Sequence, residues 1–285
     1  MSAALKHSRM SSATRNDLSP AADDPSSGWR PRIATGVIVL GDGAVIEGFG
    51  VGASGSAVGE VCFNTAMTGY EEIMTDPSYA AQIVTFTFPH IGVVGVNDED
   101  TEAVNAASAT AAVGAILRAE VVGPSNFRAR ARLDSWMKAR GIIGVTGVDT
   151  RALTTLIRER GMPNAVIAHS PDGAFDLDAL RARAAAWPGI DGMDLVPAVG
   201  STQRSNWDET SWTLESGYRR RETTRFHVVA IDYGTKRNIL RLLNDCGCAV
   251  TVVPATASAE EILALKPDGV VLSNGPGDPA ATVGG

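Results

Sequence analysis

Gly269-Val270-Val271-Leu272-Ser273-Asn274-Gly275-Pro276-Gly277-Asp278-Pro279 reads as a strand running into a turn that no strand could continue. Val270 to Leu272 is a short apolar, largely β-branched run, the pattern expected of a strand buried on both faces. Gly275 and Gly277 lack a Cβ and let backbone come close to a ligand, while Pro276 and Pro279 fix φ and withhold N–H groups. A Gly-rich turn at the carboxyl end of a buried parallel strand is where open α/β sheets bind small molecules. The same residue types also suit an ordinary turn, since Gly and Pro punctuate loops everywhere.

The residues upstream favour the first reading. Phe226 to Ile231 is an apolar run ending at Asp232-Tyr233-Gly234. Lys236 to Asp245 then places Ile239, Leu240, Leu242 and Leu243 on one helical face, with Gly247 positioned to end the helix. Cys248 to Val253 reads as a second strand, and Ser258 and Glu261 have the spacing of a capping box opening a helix through about Leu265. Strand, helix, strand, helix, strand in so short a compass predicts a doubly wound parallel sheet.

The rest of the chain is also α/β. Residues 1–32, rich in Ala, Ser, Asp and Arg without apolar periodicity, read as a disordered tail. Val37 to Leu40 and Ala44 to Phe49 form a hairpin about Gly41-Asp42-Gly43, and Val58 to Phe63, Gln82 to Phe88, Val113 to Leu117, Ile142 to Val145 and Ala165 to Ala168 read as strands. Helices are expected over Leu133 to Arg140, over Thr150 to Arg160 with Asp149 as cap and Gly161 as stop, and over Leu177 to Trp187. The polar stretch from Pro197 to Arg225 reads as a connector. With 285 residues the chain is long enough for two modest domains. A net charge of −7 argues against general nucleic-acid binding, and no apolar run has the length of a membrane span. Cys62, Cys246 and Cys248 do not make a disulfide framework, and C-x-C alone is not a metal site, so no metal ligand set is assigned. A reducing, cytoplasmic setting is expected.

Asp232-x-Gly234-x-Lys236-x-Asn238-Ile239 followed by Ser273-Asn274-Gly275-Pro276-Gly277-Asp278-Pro279 resembles the opening of a class I glutamine amidotransferase domain. Gly59-Glu60, Phe63-Asn64-Thr65, Met67-Thr68-Gly69-Tyr70, Thr75-Asp76-Pro77-Ser78-Tyr79, Pro89-His90-Ile91-Gly92, Asp149-Thr150-Arg151 and Gly192-Met193-Asp194-Leu195 narrow the likeness to the small subunits of glutamine-hydrolysing carbamoyl-phosphate synthases. The resemblance implies an N-terminal α/β small-subunit domain over residues 33–188, a linker over 189–225, and the first part of a doubly wound amidotransferase domain over 226–285.

It also implies a chemistry. Members of the family hydrolyse glutamine with a Cys nucleophile, a His base and an orienting carboxylate. Their ammonia goes to a large subunit that makes carbamoyl phosphate from bicarbonate and Mg-ATP, for pyrimidine and arginine synthesis. The Cys, His and Glu motifs of that triad are expected downstream of Gly285, so no catalytic residue and no cofactor is assigned within this sequence. Ser78, Gly275 and Gly277 are the residues implied to bind L-glutamine, the glycines through N–H groups suited to a carboxylate or oxyanion. The expected partners are the large subunit and L-glutamine, with neither nucleic acid nor membrane. A non-catalytic scaffold that docks on a large subunit without hydrolysing glutamine is the alternative.

Overall fold

The computed structural model of the protein describes residues 32–104 and 111–282. The tail expected over residues 1–32 lies outside them except for Arg32. β1 (Gly36–Leu40) and β2 (Val45–Gly52) form the expected hairpin, turning through Gly43 at φ +88°. A residue without Cβ adopts that left-handed conformation at little cost. β3 (Gly55–Asn64), α1 (Tyr70–Thr75), a 3-10 turn at Pro77–Tyr79 and β4 (Gln82–Phe86) come next. β5 (Ala112–Ile116), α2 (Leu133–Ala139), β6 (Ile143–Thr146), α3 (Thr150–Arg160) and β7 (Asn164–His169) follow. The seven strands close into a barrel in the order β1-β2-β6-β5-β4-β3-β7. β3, β4, β5 and β6 pair in parallel; the remaining pairs are antiparallel.

Two-residue alternation along the strands decides what each side chain meets. Ile38 and Leu40 pack with Val61, Ile83, Ile116 and Ile167, and Leu153 and Ile157 of α3 join that cluster. Their neighbours Val37 and Val39 point the other way, with Val166 and Ala168, onto α4 (Leu177–Ala186). On β4 and the chain after β5, Val84, Phe86 and Leu117 pack with Tyr70 and Met74 of α1 and Leu133 and Met137 of α2. Asp149 caps α3 as expected, its side chain accepting from the Arg151 and Ala152 amides.

α5 (Val196–Val199) and β8 (Ser205–Trp207) lie in the stretch expected to be a bare connector. β8 pairs antiparallel with a strand of the second sheet, and its Trp207 packs against that sheet's core. Two exposed polar residues and one aromatic are too weak a pattern to read as a strand. The second sheet then runs β9 (Phe226–Asp232), α6 (Arg237–Asp245), β10 (Cys248–Pro254), α7 (Ala259–Ala264) and β11 (Gly269–Leu272). Its order is β11-β9-β10-β8, with β9, β10 and β11 parallel. β10 lies on one side of β9 and β11 on the other, so the crossover direction reverses at β9. With right-handed crossovers the two helices must then cover opposite faces. Leu240 and Leu243 of α6 pack on Val228, Ala230, Val250 and Val252, while Ile262 of α7 packs on Val229, Ile231 and Val253.

Two expectations are corrected here. β11 is not buried on both faces: Val270 is 46% and Leu272 67% exposed, because this short strand pairs only with β9 and no described helix covers that side. On α6, Leu242 is exposed and Arg241 is buried instead. The Arg241 guanidinium is drawn inward by two carboxylates and by the ring of Tyr218, 4.0 Å away.

Candidate functional site at the barrel–sheet junction

Reversal of strand order at β9 opens a crevice at the carboxyl ends of β9 and β11, the position where doubly wound sheets hold ligands. The β9 end is set by Asp232, which is buried. One carboxylate oxygen accepts from the amides of Gly234 (2.9 Å) and Thr235 (2.7 Å), the other from the amide (2.9 Å) and hydroxyl (2.6 Å) of Ser201. Four donors satisfy a buried carboxylate that would otherwise be costly. The turn they hold brings Gly234 so close to Val199, Pro77 and Pro276 that a Cβ at φ +114° would lie 2.9–3.2 Å from their side chains. Barrel, α5 and the loop after β11 thus converge on one glycine.

Asn274 ties these pieces together. Its Nδ2 donates to the Ser78 hydroxyl (2.7 Å) and to the Gly234 carbonyl (3.0 Å), and its Oδ1 accepts from the Lys236 amide (3.2 Å). Ser78 sits on the Pro77–Tyr79 turn, whose cap is Asp76: one carboxylate oxygen accepts from the Ser78 amide at 2.9 Å. The other pairs with Lys236 Nζ at 2.6 Å. Burial works against the Lys236 ammonium, but the hydrogen bond and charge of Asp76 more than offset it and raise its pKa. A barrel side chain therefore meets the loop after β11 directly.

A third carboxylate locks the helix after that turn. Glu102 accepts from the Asn238 amide (2.9 Å), its backbone carbonyl accepts from the Arg237 amide (3.0 Å), and its own amide donates to Thr75 Oγ1 (2.9 Å). These bonds satisfy N–H groups that the start of α6 leaves without helical partners. Burial raises the Glu102 pKa, with the Asn238 amide and Arg241 acting the other way. Arg241 also donates from Nε to Glu209 at 2.8 Å.

Two cavities meet the junction. One of about 490 Å³ is lined by Asn64, Glu72, Asp76, Tyr79, Lys236 and Arg241. The other, about 370 Å³, is lined by Val196, Tyr233, Asn274, Gly275 and Pro276. Asn274 lines the second cavity, and its partner Ser78 stands in the chain between Asp76 and Tyr79, which line the first. Gly275 is exposed, and its Cα is pressed so close to the Tyr233 carbonyl that a Cβ would stand 2.5 Å from that oxygen. Gly277 sits at φ +74°, where a Cβ would stand 2.9 Å from the Met193 carbonyl and against Leu195. Of the three residues expected to bind glutamine, Ser78 and Gly275 are brought together through Asn274, and Gly277 has a packing reason of its own.

Asn274, Asp76, Lys236 and Asp232 stand in the sequence motifs quoted above without a role of their own, and Glu102 stands in none of them. Asp before Pro-Ser at a helical start is a readable cap, and Asp232-x-Gly234 is a readable Asp turn. Glu102 gives no local sign, because its partners lie about 136 residues along the chain.

No cysteine is placed as a nucleophile. Cys62 is buried, and burial first, then the charge of Glu60, pushes its thiol up to about 12. Cys248 is buried in the sheet, and Cys246 is exposed at the far end of α6. His169 contacts the Ala53 carbonyl and His227 the Thr251 hydroxyl, both away from Ser78. Among the described residues no group of His, Cys, Asp and Glu is arranged to hold a metal ion, and no helix is long and apolar enough to cross a membrane.

Residues 38–167 match the family model for the carbamoyl-phosphate synthase small chain, CPSase domain. Residues 229–285 match the model for class-I glutamine amidotransferases. A carbamoyl phosphate synthase small chain of Bradyrhizobium diazoefficiens is 64% identical over 94% of this chain and 66% of its own length. The Mesorhizobium japonicum protein of the same name is 62% identical over 89% of this chain and 64% of its own. The chain thus spans slightly less than two thirds of these relatives. With both domain matches in chain order and this level of identity, the chain belongs to the carbamoyl-phosphate synthase small-chain family.

Proposed function

We propose that this chain is the glutamine-handling part of a carbamoyl-phosphate synthase. In this reading it takes L-glutamine at the barrel–sheet junction as the source of ammonia for a large subunit. That subunit uses bicarbonate and Mg-ATP to make carbamoyl phosphate, in the cytoplasm, for pyrimidine and arginine synthesis. The observation that carries the reading is the Ser78–Asn274 contact, which brings a barrel hydroxyl to the loop after β11 at the sheet's ligand-binding end. Residues 33–188 would form the small-subunit domain that docks on the large subunit, residues 189–225 the linker, and residues 226–285 the amidotransferase part.

Ser78 offers a hydroxyl, and the Gly275 and Gly277 backbone offers N–H groups, to the polar ends of glutamine. Hydrolysis needs a thiolate beside a base, and the burial of Cys62 and Cys248 and the placement of Cys246 at the far end of α6 argue against all three. The chain is therefore expected to bind glutamine without turning it over. Calorimetry with L-glutamine and glutamate release, each with and without a large subunit, test both halves. Saturable binding without glutamate release is the expected result. Absence of binding under both conditions overturns the glutamine reading, and glutamate release abolished in Cys246→Ser overturns the assignment of no nucleophile.

A further inference from the structure

We infer that Asn274 is a self-modification site whose deamidation the Ser78 contact holds off: with the contact made the side-chain amide is fixed, and with it broken the Gly275 nitrogen attacks that amide. The inference goes beyond the glutamine reading and does not depend on it. Asn274 is the only asparagine in the sequence that is followed by glycine. Cyclisation at an asparagine needs the next backbone nitrogen to reach the side-chain carbonyl carbon, and a side chain on that next residue stands in the way. Glycine hinders the approach least. Here the fold demands the glycine, because a Cβ at Gly275 would stand 2.5 Å from the Tyr233 carbonyl oxygen. The residue that shapes the loop therefore also makes it reactive.

Two further features prepare the peptide bond between Asn274 and Gly275. The Ser273 hydroxyl donates to its oxygen, the Asn274 carbonyl, at 2.7 Å. A donor there favours the anion left when the Gly275 N–H loses its proton. That N–H donates to no acceptor among the described residues, and Gly275 is exposed. Against attack stand three bonds on the side-chain amide. Nδ2 donates to Ser78 Oγ (2.7 Å) and to the Gly234 carbonyl (3.0 Å), and Oδ1 accepts from the Lys236 amide (3.2 Å). Attack turns the planar Cγ tetrahedral and drives Nδ2 out, so both bonds that Nδ2 donates must be given up. The Ser78 bond spans 196 residues and joins the barrel to the loop after β11, so it is the one lost when the two part.

The step balances with water alone. Hydroxide takes the Gly275 N–H proton, and the freed electron pair bonds the nitrogen to Asn274 Cγ. The Cγ–Nδ2 bond then breaks, Nδ2 takes a proton from water and leaves as ammonia, and a five-membered succinimide remains. Water opens that ring at either carbonyl, giving aspartate or isoaspartate. The aspartate product sets an oxygen against the Gly234 carbonyl, two acceptors with no proton between them. Isoaspartate also lengthens the main chain by one atom. Neither change is undone by reclosing, so an opening of the junction becomes a permanent alteration of it.

The wild-type chain, Ser78→Ala and Ser78→Cys are held in mildly alkaline buffer, folded and in urea. The fragment carrying residue 274 is followed by its mass and by enzymatic methylation of isoaspartate. Cysteine keeps the size of serine but is a weak acceptor, so it is the milder variant. In urea all three chains are expected to convert at the same rate. Folded wild type should convert roughly tenfold or more slower than in urea, and either folded variant roughly 3- to 10-fold faster than folded wild type. Asn244, buried on α6 and followed by Asp245, reports on the sheet as a whole. A rise at Asn274 without one at Asn244 supports the gate. An equal rise at both means that the sheet unfolds rather than that the contact opens, and overturns it. So does a folded wild type that converts at its urea rate, or folded variants that convert at the wild-type rate. No conversion at Asn274 in urea overturns the site itself.

Discussion

Glu71 is a carboxyl group in a place that suits its neutral form. It is 3% exposed on α1; one oxygen accepts from the Asn97 amide at 2.9 Å, and the other, also buried, has no hydrogen-bond partner. Burial pushes its pKa up to about 8; the Asn97 amide acts the other way, and the charges of Asp100 and Glu72 add to the rise. In an unfolded chain the group titrates near 4.5. Between these values the native state holds a proton that the unfolded state has released, so stability falls as pH rises through that window. Glu71's contribution is fully present below about pH 4.5 and lost as pH passes 8. Glu71→Gln is expected to flatten the fall and to gain on the order of 1–3 kcal/mol over wild type at pH 9, read from urea midpoints at both ends of the range. A midpoint difference between variant and wild type that is independent of pH would contradict this. Gly277 makes a second residue-scale test. Gly277→Ala forces an L side chain to φ +74° with its Cβ 2.9 Å from the Met193 carbonyl, and about 1–3 kcal/mol of destabilisation is expected from the same midpoints.

At the scale of elements, what was legible in the sequence is what local physics decides. The cap of Asp149 on α3 and the capping box of Ser258 and Glu261 on α7 needed only residues three apart, and both formed. Alternation placed the barrel strands to within three residues at either end, but the closing pair of β7 with β1 and β3 was invisible because it joins residues more than 100 apart. α6 shows the limit most clearly. Hydrophobic periodicity put Leu242 inward, yet Arg241 is buried because Glu102, Glu209 and Tyr218 from distant segments satisfy it. The same distance hid Glu102 as the cap of α6. Glu102→Ala removes a bond to the Asn238 amide and one partner of Arg241, leaving Glu209 to hold that cation. An expected loss of about 2–3 kcal/mol, with faster amide exchange confined to the first turn of α6, follows. Unchanged exchange at Asn238 would show that the helix start is held by other means.

The whole molecule, from Ala34 onward, is one compact unit in which a closed barrel and an open, mostly parallel sheet meet. Helices on opposite faces cover β9 and β10, while Val270 and Leu272 leave β11 half bare. A large apolar side chain gains roughly 1.5–3 kcal/mol from full burial, so β11 forgoes much of what holds its neighbours. Amides of Val270 to Leu272 are therefore expected to exchange at least tenfold faster than those of Val229 to Ile231; equal protection would show β11 covered in solution. The junction itself depends on Ser78 and Asn274, 196 residues apart, being held as one site. An amide-resolved NMR titration of the chain with L-glutamine tests that directly. Ser78 and Gly275 are expected to shift together along one saturation curve, while Gly43 and Gly173, on remote turns, stay still. A shift at only one of the two, or none at either, would contradict a glutamine site shared between barrel and sheet.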